Sequence, residues 1–468
     1  MTALAHILTL LTAAAAPVTA LTPLYSTYTF NPLEHLAGVA PYFEPQDPPT
    51  SPDPPRGCSP ARAAYLVRHA AIYANDYDYE EYIEPFLSKL ENTTVDWAKI
   101  PSLDFLAGWK PPFSDKEVEL LTRVGRLEAA QLGVSLSFRY PGLKTPSQVW
   151  TSSAERTLKS ARALARAFAV DDDQPIDVSS IYESKEAGAD SLTPYKSCPA
   201  YSSSAGSDQS DEYVQKFTAP IAARLNSLAP GGFNFTADDV YGMMELCGYE
   251  TVVRGSSRFC DPDLFSPDEW LQWEYSADVQ YHYNSGYGNP ISGVVGLPWL
   301  NATAGLLLSS PQTNAASDDR KAQDLYISFT HRELPPMVLV AMGLFNNSEF
   351  DGALAEARIN DTMPLDRINH RRAWKSSHVL PFLSNIAVER LDCTQSYGFD
   401  DGEYYRVLVN NAPQELPACG DGPGQSCSRQ GFEEYLRTRA ELFSGFSDKC
   451  GVKYDNSTDT LGIYSRSK

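Results

Sequence analysis

The chain has 468 residues, of which 43% are hydrophobic, 21% charged and 11% aromatic; 38 Lys+Arg stand against 59 Asp+Glu, a net charge of −21. Such values describe a globular protein and exclude a largely disordered or fibrous one. They also argue against nucleic-acid binding and against docking on anionic lipid, both of which need clustered Lys and Arg, but not against a small anionic ligand, which responds to local charge.

Met1 to Ala20 reads as a secretory signal peptide. Its apolar run is too short to span a bilayer, and Val18-Thr19-Ala20 is a small-residue cleavage site. No later stretch is apolar and long enough for a membrane helix, so the expected location is extracellular. Eight cysteines, an even number without C-x-x-C pairs, are expected to form disulfides rather than a zinc site. Six N-x-[ST] sequons, at Asn92, Asn234, Asn301, Asn346, Asn360 and Asn456, are expected to carry surface glycans.

A proline-dense stretch from Phe43 to Pro60 predicts an extended lead-in. Ala63 to Val67 is a short apolar run that suits a buried strand, followed at once by Arg68-His69. Apolar residues at helical spacing predict a helix over Glu117–Arg139. Gln148 to Thr151 predicts a strand, and Ser153 to Val170 a helix with Ser153 as its N-cap. From Asp171 to Gly286 strand signals fade and Ser, Asp and Tyr become frequent, which predicts an inserted helical region. Asp324 to Phe329 returns as a strand, Leu334 to Phe345 as a helix and Tyr404 to Val409 as a late strand. The fold class expected is α/β. A large domain (21–170 and 287–468) would hold a central, mainly parallel sheet flanked by helices; a smaller, mainly helical domain would span 171–286.

Three predicted strands run into polar residues: Arg68-His69, then Ser152, Ser153 and Arg156, then Thr330-His331-Arg332-Glu333. Ligands of open α/β sheets bind beyond the carboxyl ends of the strands, so these side chains are candidates for one pocket. Arginine donates two parallel hydrogen bonds to a phosphate, neutral imidazole is nucleophilic, and a carboxylic acid such as Glu333 can protonate a leaving oxygen. No metal-ligand set stands out and no cofactor is expected. The expected partner is a small anionic substrate, with the protein a monomer.

At these residues the chain resembles the histidine acid phosphatases, in particular the secreted fungal phytase-like branch. The resemblance runs through Leu121-Thr122-Arg123-Val124-Gly125 with Arg139-Tyr140-Pro141, the Arg156 helix, Cys198-Pro199-Ala200, Leu246 to Thr251, Phe259-Cys260-Asp261, Gly288-Asn289-Pro290, and Phe329-Thr330-His331 with Met342 to Phe345. It implies a phosphoglycerate-mutase-like large domain and a reaction in which His69 attacks phosphorus to form a phosphohistidine. Arg68, Arg156 and His331 would hold the phosphoryl oxygens. It also implies the pairs Cys58 with Cys393, Cys198 with Cys450, Cys247 with Cys260, and Cys419 with Cys427.

The chain departs from the family signature R-H-G-x-R-x-P, reading Arg68-His69-Ala70-Ala71-Ile72-Tyr73-Ala74. An arginine fork is replaced by Ile72. The phytase triplet H-D-N is replaced by His331-Arg332-Glu333, which resembles the H-A-E of the multiple inositol-polyphosphate phosphatases. There Glu333 would be the acid, and Arg332, if turned inward, would restore part of the lost charge. Two readings follow: an acid phosphatase with a weakened or altered anion site, or a relative that has lost hydrolysis and acts on or binds a non-phosphorylated small molecule. Fold alone does not choose between them.

Overall fold

The structure is a computed structural model that describes residues 30–45, 48, 50–169, 175–229, 232–309, 323–347, 350–351, 358–359 and 362–465. The signal peptide expected at 1–20 and Asn360 lie outside the described residues.

The backbone of the molecule is an eight-stranded mixed sheet. Its strands are β1 (Cys58–Arg68), β2 (Gln148–Ser152), β3 (Asp177–Ile181), β4 (Leu325–Thr330), β5 (Asn385–Cys393), β6 (Gly402–Val409), β7 (Ala412–Gln414) and β8 (Cys427–Ser428). The spatial order is β8-β6-β5-β1-β4-β2-β3, with β7 on β6. Strands β1, β4, β2 and β3 are parallel, and β5, β6, β7 and β8 extend the sheet by antiparallel pairing. Ala63 to Arg68 of β1 are all buried, as a strand covered on both faces must be.

Two helices matter most for the site. The helix α1 (Arg123–Arg139) starts at Thr122, whose hydroxyl accepts from the Gly125 amide and donates to the Ala71 carbonyl. Gly125 allows this approach, since a Cβ there would lie 2.4 Å from the Ala71 oxygen. The helix α2 (Glu155–Phe168) carries Arg156 in its first turn, and its N-cap is Ala154 rather than Ser153, without a side-chain cap.

The predicted helix over Glu117–Arg139 is therefore too long at its start. Glu119 takes φ 66°, a left-handed conformation that ends any helix, and Leu121 bridges to Ile72. Val118, Leu120 and Leu121 fit a helical period but belong to a strand-like segment laced to the loop after β1. Its rungs run from Tyr73 N to Leu120 O, Glu119 N to Ala74 O and Thr122 N to Ala71 O. A second difference concerns 171–286. Strand β3 lies inside that stretch, so the sheet extends past residue 170, and the helices proper are Ser207–Leu228, Ala237–Arg254 and Pro267–Asn284. The alternation in Asp177-Val178-Ser179-Ser180-Ile181 is too polar to stand out, because this is a half-exposed edge strand.

The disulfides join Cys58 to Cys393, Cys198 to Cys450, Cys247 to Cys260 and Cys419 to Cys427. The first two close sequence separations of 335 and 252 residues, each nominally worth about 4–5 kcal/mol in the chain-entropy account. Asn92, Asn234, Asn301, Asn346 and Asn456 are exposed. No described helix is long and apolar enough to cross a membrane.

Candidate active site

The register of β1, β4 and β2 brings their carboxyl ends level: Arg68 lies opposite Thr330, and Thr151 opposite Phe329. The peptide of His69 is then clamped on both sides. Its N–H donates to the Thr330 carbonyl (2.9 Å) and its carbonyl accepts from Leu383 N (3.2 Å).

The His69 ring is buried, with Nδ1 2.9 Å from the Ala70 carbonyl. A carbonyl only accepts, so Nδ1 carries the proton and Nε2 keeps its lone pair. Burial, and then Arg68, Arg156 and His331, hold the pKa of His69 well below the usual imidazole value. The neutral form of the ring is thereby favoured. Ala70 needs no glycine, since its φ is not positive, and its amide donates to Ser160 Oγ (2.9 Å).

His331 stands 5.7 Å from His69, centroid to centroid, edge to face. Its Nε2 is 2.9 Å from Glu183 Oε1 and 3.3 Å from Ser152 Oγ. Burial pushes its pKa down, an effect that Glu183 partly offsets. Arg68 is buried, with Cζ 4.5 Å above the Phe382 ring, and its Nη1 donates to the carbonyls of Gly38 and Leu380. Burial, together with the charge of Arg332, lowers its pKa to about 10. Arg156 pairs with Glu119, and its charge acts on His69, His331 and Glu333.

Arg332 turns inward. It donates to Asn75 Oδ1 (3.2 Å) and lies 3.4 Å from Glu333 and 3.9 Å from Asp78. Glu333 sits at the N-terminus of the helix Leu334–Met342. Burial works to raise its pKa, but Arg332, His331 and Arg156 outweigh this and hold it below the usual carboxylate value.

The structure thus brings His69, Glu333, Arg68, Arg156, His331 and Arg332 close to one another. Three of their buried nitrogens, Arg68 Nε, Arg156 Nε and His331 Nδ1, have no protein partner among the described residues. Ile72 is buried and contributes no polar group. Sequence reading missed Glu183, which follows the unpredicted β3, and Glu119, hidden in the over-long helix. It also missed Asn75, whose side chain links Glu119 (2.8 Å) to Arg332. Asp78 is buried and accepts from the Tyr249 hydroxyl; burial raises its pKa. Among the described residues, no group of His, Cys, Asp and Glu is arranged to hold a metal ion.

Residues 63–410 match the profile of the histidine phosphatase superfamily (branch 2), and the chain belongs to that family. It is 31% identical over 436 residues to the acid phosphatase PHO1 of Komagataella pastoris, covering 90% of this chain and 87% of that protein. It is 28% identical to the phytase PHO112 of Candida albicans, covering 92% and 89%. Among solved structures it resembles the phytase from D. castellii, with a TM-score of 0.80 and 25% identity over 93% of this chain and 90% of that one. Relatives named phosphatase and phytase support a phosphomonoester hydrolase, and nothing among them supports the reading in which hydrolysis is lost.

Proposed function

We propose that this chain is an acid phosphatase, a phosphoric monoester hydrolase, acting through a covalent intermediate on His69. The observation that carries this reading is the Nδ1 bond to the Ala70 carbonyl, which leaves Nε2 of the imidazole unprotonated and able to act as a nucleophile. Nε2 attacks phosphorus, the bond to the ester oxygen breaks, and Glu333 protonates the departing alkoxide. Water then attacks the phosphohistidine, with Glu333 taking its proton, and inorganic phosphate leaves.

Arg68, Arg156 and Arg332 supply the positive charge for the phosphoryl oxygens. Arg332, on the loop after β4, stands in for the fork lost at Ile72. His331, hydrogen-bonded through Nε2 to Glu183, takes a second proton on Nδ1 when a phosphoryl oxygen arrives, and the two then form an ion pair. The substrate is a small phosphate ester and no cofactor is needed. Four disulfides and exposed sequons support secretion. We read the protein as a monomer.

The test is phosphate release from an aryl phosphate and from phytate between about pH 3 and 6, where carboxyl groups change protonation. Wild type releases phosphate and His69→Ala does not. Rapid quench into base with a radiolabelled substrate traps a base-stable, acid-labile label on the wild-type chain. Equal rates for wild type and His69→Ala overturn the reading.

A further inference from the structure

We propose that Glu119 is an internal competitor for the phosphoryl group, a carboxylate that occupies Arg156 and weakens the affinity of the site for phosphate. The inference rests on the reading of Arg156 as a phosphoryl-binding residue and adds a specificity-determining residue to it.

Four observations converge. Arg156 lies at the site: Ser152, at the end of β2 just before the Arg156 helix, is 3.3 Å from His331 Nε2, and the Arg156 charge is felt at His69, His331 and Glu333. Its ion-pair partner is Glu119, and the two side chains are 22% and 26% exposed, so ligand and solvent reach the pair. The carboxylate is also held in place. Oε1 accepts from Asn75 Nδ2 (2.8 Å) and lies 3.4 Å from the Asp76 amide, while the Glu119 amide donates to the Ala74 carbonyl (2.8 Å). Finally, Glu119 adopts φ 66°, a conformation that costs a non-glycine residue free energy and that glycine takes freely. A carboxylate is thus kept at a backbone position suited to glycine, in contact with a guanidinium of the anion site.

Its consequence follows from charge. A phosphoryl group approaching Arg156 must displace Glu119 or share the guanidinium with it, and either weakens binding. Arg156 Nε remains without a protein partner, so sharing is geometrically open. With Arg332 already standing in for the fork absent at Ile72, the site has no arginine to spare, and neutralising one is correspondingly felt. Weak phosphate affinity hastens release of inorganic phosphate, the product.

The experiment uses the full chain with Glu119→Gln and Glu119→Gly, the second chosen because glycine suits φ 66° and preserves the turn. Calorimetric titration with inorganic phosphate reads affinity without turnover, and aryl phosphate kinetics read KM and kcat separately. The expected result is a Kd for phosphate and a KM each about tenfold lower in both variants, with kcat unchanged or reduced as product release slows. On an Arg156→Ala background the same substitutions leave Kd unchanged. A Kd that rises or stays constant in both variants overturns the inference, because it makes Glu119 a prop for Arg156. If wild type binds phosphate but releases none from any ester, the reading as a phosphatase fails. The inference then still stands or falls on the calorimetric shift.

Discussion

Two arginine-bearing clusters lie in this fold, and they differ in how completely their buried atoms are paired. In the first, Glu389 on β5 accepts from Arg406 Nε (2.5 Å), Arg139 Nε and Nη2 (3.2 Å each) and the Tyr140 hydroxyl (2.5 Å). Arg406 spends its remaining donors on the carbonyls of Asp53 and Pro52, and no side-chain nitrogen or oxygen of these four residues lacks a partner. In the second, at the carboxyl ends of β1 and β4, Arg68, Arg156 and His331 each keep a buried nitrogen unpaired. Leaving a buried donor or acceptor unpaired costs about 1–3 kcal/mol. A closed cluster needs no ligand to satisfy it, whereas the open one is completed by added oxygen atoms. The difference separates arginines that hold the sheet from arginines available to bind.

The sharpest way to break this contrast is to remove one arginine from each cluster. Arg406→Ala leaves the fully buried Glu389 short of a partner, and removal of one member of a buried pair costs ~3–5 kcal/mol. A chemical-denaturation midpoint should fall accordingly, while the folded fraction keeps wild-type KM. Arg332→Ala should do the reverse. It should lower kcat/KM by ~10²–10³-fold, the usual cost of removing a charge-stabilising donor, with a much smaller change in midpoint. If Arg332→Ala unfolds the protein and Arg406→Ala spares it but abolishes turnover, the assignment of the clusters is reversed.

A smaller effect sharpens the role of Glu333. As proton donor it matters in proportion to the basicity of the leaving group. Glu333→Gln should slow alkyl phosphates by ~10²-fold or more and aryl phosphates, whose leaving groups need less protonation, far less. Because Arg332 helps to hold the Glu333 carboxyl below the usual range, the acid form is lost early as pH rises. Turnover of alkyl esters should therefore decline along an alkaline limb set at low pH. In Arg332→Gln that limb should move to higher pH. A limb that does not move, or equal losses on both ester classes, removes Glu333 from the proton transfer.

Much of this site was legible in the sequence because its residues immediately follow short buried strands. Ala63 to Val67 and Asp324 to Phe329 are read from their apolar runs, and the chain then delivers Arg68-His69 and His331 to Glu333 in adjacent turns. The inward turn of Arg332 was not legible. Alternation along a strand says nothing of the residues beyond its end, and the Asn75 and Asp78 that receive Arg332 come from a distant segment, the short helical turn Asp76–Asp78 and its N-cap. Glu119 and Glu183 were lost for different reasons. Glu119 sits among apolar residues whose helical period conceals a break at one positive φ, and a period does not register a backbone angle. Glu183 follows an edge strand of mixed polarity, which carries too little pattern to be recognised. The antiparallel half of the sheet was visible only at Tyr404 to Val409, since its order depends on tertiary pairing.

The smallest effect tests whether Glu183, at the border of the open cluster, also contributes to stability. Burial works to raise its pKa, but the hydrogen bond from His331 and the ion pair with Lys196 outweigh it and place it below the ordinary carboxylate value. A carboxyl group whose folded-state value is depressed stabilises the fold above its unfolded-state pKa, and that contribution is lost as pH falls toward the folded value. Glu183→Gln should therefore lower Tm most at pH 5 and above, by about 1–2 °C, corresponding to ~1 kcal/mol in a chain this long. The gap from wild type should narrow as pH is taken down through about 4.3, the unperturbed glutamate value. A gap that stays constant from pH 6 to 3 would mean that Glu183 acts through packing rather than through its charge. In that case the His331–Glu183 pair could not be what supports a second proton on His331 during phosphate binding.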